Sequence, residues 1–77
     1  MDIIEGDRVY KITNKIIDKN NTYKIIRIIP YDTSWYDGYF IETRAIAINE
    51  NTNNQEELLI LLSSHLQNYY EVFLVKI

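Results

Sequence analysis

Leu58-Leu59-Ile60-Leu61-Leu62-Ser63-Ser64-His65-Leu66-Gln67-Asn68-Tyr69-Tyr70 runs for thirteen residues without a side chain that is ionised at neutral pH. Five of the chain's six leucines fall within it, while the remainder takes its bulk from Ile, Val and Tyr. Composition therefore switches here from strand-forming to helix-forming residues. Stepping about 100° per residue places Leu58, Leu62, Leu66 and Tyr69 on one stripe, flanked by Leu59, Leu61 and His65. Asn54 and Glu57 have the spacing of a capping box, and Glu56 and Glu57 complement a helix N-terminus. The pattern predicts a helix from about residue 55 to residue 69, entered from the Asn-rich connector Asn49–Asn54. Its back would carry Ile60, Ser63, Ser64, Gln67 and Asn68, where a solvated helix normally shows Lys, Glu or Arg. Interface cores are likewise depleted of charge. Ile60, Ser63, Ser64 and Gln67 are thus expected at a two-fold homodimer interface, against the plainer reading of a neutral solvent face.

Working outward, β-branched and aromatic residues take over. Glu5-Gly6-Asp7 is a turn signal, and Arg8–Thr13 reads as a strand. A helix competes there, because Val9, Ile12 and Ile16 share a helical face and Asp7 could cap it. Asn14-Lys15 turns the chain, Ile16-Ile17 pairs briefly, and Asp18-Lys19-Asn20-Asn21 forms a stronger turn. Thr22–Ile29 is the best strand, with Tyr23, Ile25, Arg27 and Ile29 on one face and Lys24, Ile26 and Ile28 on the other. Pro30 ends it, Tyr31–Asp37 loops, and strands follow at Tyr39–Ile48 and Val72–Ile77. The order β-β-β-α-β predicts an α+β fold, a small antiparallel sheet of about four strands with one helix on a face. The opening Gly6-Asp7-Arg8-Val9-Tyr10 resembles the first strand of SH3-like small barrels.

The 77 residues make one domain. A chain of this size buries only about 60% of its unfolded surface, so self-association is a natural way to gain buried area. Apolar content of 47% fits a globular fold, and the absence of cysteine excludes a disulfide framework and a Cys-based zinc site. Met1-Asp2-Ile3-Ile4-Glu5 is acidic where a secretory leader is basic, and no apolar run approaches a membrane span. The expectation is a soluble cytoplasmic protein. The net charge of −3 conceals an asymmetry: Arg8, Lys11, Lys15, Lys19, Lys24 and Arg27 face only Asp18, whereas acids dominate after Pro30. Abundant Ile, Asn, Lys and Tyr point to an AT-rich genome, which favours a virus or mobile element as source.

Catalysis finds little support. The one histidine, His65, follows Ser63 and Ser64, but on a helix Ser64 and His65 diverge by about 100°, so His65 reads as a packed core residue. No EF-hand spacing or Gly-rich phosphate loop is present, so neither a cofactor nor a metal is expected. Tyr31, Trp35, Tyr36, Tyr39 and Phe40 crowd one loop with Asp32 and Asp37. Tyr and Trp dominate interface hot spots, which makes Asp32, Trp35, Tyr36, Asp37 and Tyr39 the expected contact surface for a protein partner; the plainer reading is a small core closing one end of the sheet. The expected function is a non-enzymatic protein-binding domain, in specific form a virus- or mobile-element-encoded inhibitor of a host protein. Two alternatives stand beside it. One is a nucleic-acid-binding small barrel using Tyr10, Lys11, Tyr23, Lys24 and Arg27, aromatic and basic residues interleaved as in single-strand binders. The other is a structural subunit that assembles with itself.

Overall fold

The computed structural model describes residues 3–29, 41–64 and 68–77. Six strands occupy them: β1 (Arg8–Thr13), β2 (Ile16–Ile29), β3 (Ile41–Asn49), β4 (Gln55–Ser64), β5 (Tyr69–Val72) and β6 (Leu74–Lys76). All pair antiparallel in one sheet of order β5-β4-β3-β2-β1-β6. The fold is all-β in the described residues, not α+β, and the sheet has six strands rather than about four.

The segment predicted as a helix is β4. Its partner lies close by in sequence, because Asn49–Asn54 forms the loop of a hairpin instead of a helix cap. Asn49 Oδ1 accepts hydrogen bonds from the Asn51 and Thr52 amides at 2.9 and 3.2 Å. Asn53 takes a left-handed φ of 65°, and the Asn53 amide donates to the Asn49 carbonyl at 2.7 Å. With β3 thus delivered alongside, Leu58 and Ile60 enter the core and Leu61 packs against it. A helix would have left Ile60 on its back; the strand buries it to 1% exposure. A short apolar run is compatible with either period, and here long-range pairing wins over the helix propensity of leucine.

Both ends of the sheet belong to one C-terminal segment. The Phe73 amide donates to the Ile60 carbonyl at 2.9 Å, extending the β4–β5 ladder, and the Phe73 carbonyl accepts from the Ile12 amide at 2.8 Å, extending β1–β6. The sheet therefore curls until its ends meet at Phe73, as a small barrel. Val9, Tyr23, Ile25, Ala45, Ala47, Leu58, Ile60 and Leu74 fill it. Ile25, Ile60 and Val9 are the largest fully buried side chains, and burying each contributes about 1.5–3 kcal/mol.

Irregularities in β2 decide what the barrel shows outside. Fourteen extended residues would span about 46 Å, more than the 39 Å long axis of the molecule. Two breaks absorb the excess. Against β1, Val9 pairs with Tyr23 and Lys11 with Asp18, so Tyr10 opposes the four residues 19–22. The expected turn at Asp18–Asn21 is this wide bulge inside a continuous strand. Against β3, Ile25 pairs with Ala47 and Arg27 with Ile46, leaving Ile26 as an extra residue. A bulge resets the alternation of faces. Hence Tyr23, Ile25 and Ile28 meet the core while Lys24, Ile26 and Arg27 are exposed, which corrects the uninterrupted two-face pattern expected over 22–29.

Candidate binding surface on the second strand

β1 and β2 are joined by Asn14-Lys15, with φ of 52° and 64° at the two residues and Thr13 paired with Ile16. Two consecutive left-handed residues make the type I′ turn, whose twist matches that of the flanking strands. Beyond the turn, β2 is covered by β3 only from Tyr23 onward. The preceding stretch of β2 therefore has β1 on one side and no strand among the described residues on the other. Ile16 is 70% exposed and Ile17 43% exposed, and further along the strand Ile26 is 43% exposed.

Charge sharpens this picture. Of eight basic residues, four are engaged: Arg8 with Glu50 at 2.9 Å, Lys11 with Glu56 at 3.5 Å, Arg44 with Glu42 at 3.1 Å and Lys76 with Asp7 at 3.5 Å. The other four, Lys15, Lys19, Lys24 and Arg27, make no ion pair among the described residues, and all lie on β2 or its turn. β2 and its turn thus carry four cations without an ion pair among the described residues, together with three exposed isoleucines.

Two of the expected nucleic-acid residues are used elsewhere. Lys11 Nζ lies 5.0 Å from the centroid of the Tyr23 ring, in addition to its pairing with Glu56. Tyr23 is buried, and Asn49 Nδ2 lies within 3.5 Å of Tyr23 Oη and 3.3 Å of Glu56 Oε2. These groups form a polar cluster in which Tyr23 and Asn49 are buried and Lys11 and Glu56 are partly exposed. Tyr10 is half-buried on β1, opposite Val75. Only Lys24 and Arg27 of that set are exposed. The expected dimer residues also land differently: Ile60 is in the core, Ser64 is buried and Ser63 is half-buried. Gln67 lies outside the described residues, as do His65 and the whole set Asp32, Trp35, Tyr36, Asp37 and Tyr39.

The loops beside β2 fix its wide bulge. Thr22 Oγ1 donates to Glu50 Oε1 at 2.8 Å, the oxygen that also accepts from Arg8 Nε at 2.9 Å. These two hydrogen bonds, Arg8 first, hold the Glu50 carboxyl below its ordinary range. Asn51 Oδ1 accepts from the Thr22 amide and Asn51 Nδ2 donates to the Asn20 carbonyl, each at 3.3 Å. The Asn51 side chain thereby satisfies strand-edge groups as a neighbouring strand would. At the far end of the molecule, Ser63, Asn68 and Tyr70 border a concavity of about 310 Å³. There the Tyr69 hydroxyl donates to Glu71, which raises the phenol above its ordinary range. No cluster of three metal-ligating side chains occurs among the described residues.

Comparison with known protein families, curated proteins and solved structures finds no match to this chain. The surface must be read from its own chemistry. The missed residues Lys15, Ile16, Ile17, Lys19 and Ile26 had one usable signal: Asn-Lys between β-branched residues is a hairpin turn, and a hairpin tip projects. The bulge that exposes Ile26 leaves no such mark.

Proposed function

We propose that this chain works by binding another protein, using the exposed side of β2 as its contact surface. The observation that carries this reading is that, among the described residues, every cation without an ion pair lies on β2 or its turn, interspersed with Ile16, Ile17 and Ile26. Long-range attraction from such a strip speeds encounter with an acidic surface, and exposed aliphatic groups supply area to bury. An acidic protein fits better than nucleic acid, since binders of single strands stack bases on accessible aromatic rings. The exposed apolar residues of this strand are aliphatic, and its one aromatic, Tyr23, is in the core.

The test uses the tagged full-length chain to capture partners from an extract of its source organism. Lys24→Glu combined with Arg27→Glu should leave the thermal midpoint nearly unchanged, because both side chains are exposed and make no ion pair among the described residues. The same double variant should lose a stoichiometric protein that the wild type retains. Capture that survives the charge reversal, or recovery of nucleic acid in place of protein, would sink the proposal.

A further inference from the structure

We infer that the partner pairs with this chain as an added strand, along the edge of β2 at Ile17. The inference rests on the protein-binding reading above and specifies its mode and the chemistry of the segment bound. The hairpin geometry supplies the first step. A two-residue turn makes Thr13 and Ile16 the pair that exchanges hydrogen bonds, so Lys11 and Asp18 form the next such pair. Ile12 and Ile17 lie between them, with their amides and carbonyls directed away from each other. The Ile12 amide confirms that direction, since it donates outward to Phe73, just ahead of β6. The Ile17 amide and carbonyl therefore face the opposite edge.

Nothing among the described residues covers that edge at Ile17. β3 begins pairing at Tyr23, and the groups of Asn20 and Thr22 are met by Asn51 and Glu50. The capped part of the edge stops short of the hairpin tip. Beside the open part lies a shallow concavity of about 530 Å³, bordered by Thr13, Ile16, Ile17 and Lys19. Ile16 and Ile17 point to opposite faces of the ribbon, so an added strand would find an aliphatic neighbour on either side. Lys15 and Lys19 bracket the edge without ion pairs among the described residues, against the single Asp18. The occupant that satisfies backbone, faces and charge together is an extended segment alternating acidic and aliphatic residues. Strand addition of this kind draws affinity from main-chain hydrogen bonds and specificity from alternate side chains.

The experiment follows amide hydrogen exchange of the full-length chain by heteronuclear NMR, with N-acetyl-Glu-Val-Glu-Val-Glu-Val-amide as the probe. Saturating peptide should slow exchange at Ile17 by about tenfold or more, and the Lys-for-Glu peptide should bind at least about tenfold more weakly. Two further probes carry N-methyl groups on alternate nitrogens, in the two opposite phases. One phase should lose about tenfold in affinity or more while the other retains it, because only one set of amides faces the edge. Ile17→Pro, which removes the edge amide, should weaken binding as well; the methylated peptides give the answer even where proline disrupts the hairpin. Binding without slowed exchange at Ile17, or with indifference to the phase of methylation, overturns strand addition and leaves the protein-binding reading intact. Failure of every peptide to bind, while protein capture still depends on Lys24 and Arg27, also overturns strand addition alone. Loss of that dependence removes the underlying reading.

Discussion

Glu50 accepts from both Arg8 and Thr22, so one carboxylate ties β1, the wide bulge of β2 and the β3–β4 loop together. Hydrogen bonds to the ionised form lower its pKa from an ordinary value of 4.5. The sign of the linkage follows: the folded state binds this proton less readily than the unfolded state. The carboxylate therefore adds stability that is present above pH 4.5 and lost as pH falls through the lower folded value. Urea titrations across that acidic window should show Glu50→Gln with a flatter decline of stability than the wild type. Parallel declines would show that other carboxylates govern acid sensitivity. At the same scale, Asn51 caps β2 with one side-chain amide. The Asn-rich stretch Asn49–Asn54 signals a loop in any reading of the sequence. That Asn51 reaches across to β2 depends on a register which local spacing does not encode.

The β1–β2 hairpin is the element in which stability and binding separate. Lys15 holds φ 64° in the turn, a conformation that is strained for a residue with a Cβ and free of strain for glycine. Lys15→Gly should stabilise the fold by about 0.5–1 kcal/mol in urea unfolding while weakening the acidic peptide, since it removes one of the bracketing cations. A variant that is both less stable and equally tight would contradict the assigned turn and charge role together. Much of this element was legible: Asn14-Lys15 between β-branched residues reads as a turn, and Arg8–Thr13 reads as a strand. The four-residue stretch opposite Tyr10 was legible only as a turn signal, because a bulge and a reversal favour the same Asn- and Asp-rich residues. β4 was misread for a related reason. Leu58, Leu62 and Leu66 satisfy a helical period, while Leu58 and Ile60 satisfy a strand, and neighbours on both sides decide between them.

At the scale of the whole molecule, closure through Phe73 makes the C-terminal segment a structural keystone. It completes the β4–β5 ladder on one side and the β1–β6 ladder on the other, and Leu74 enters the core beside Val9. Removal of residues 73–77 should abolish the cooperative unfolding transition seen by far-ultraviolet circular dichroism, because it deletes β6 and exposes the edges of β1 and β4 together. A truncated chain that still unfolds cooperatively would mean that β1 to β5 form a self-sufficient sheet.

The sequence by itself determined the strand character of residues 8–13 and 22–29, the turn at Asn14-Lys15, the loop at Asn49–Asn54 and the crowding of cations into the first third. Each is a local property, fixed by backbone preference or by composition. Tertiary structure alone decided that Leu58–Ser64 is a strand and that Ile60 belongs to the core. It also decided that Tyr23 is buried with Lys11 over its ring, and that Lys24, Ile26 and Arg27 are all exposed on β2. Those outcomes depend on pairing register and on where a bulge falls, and both are set by partners distant along the chain.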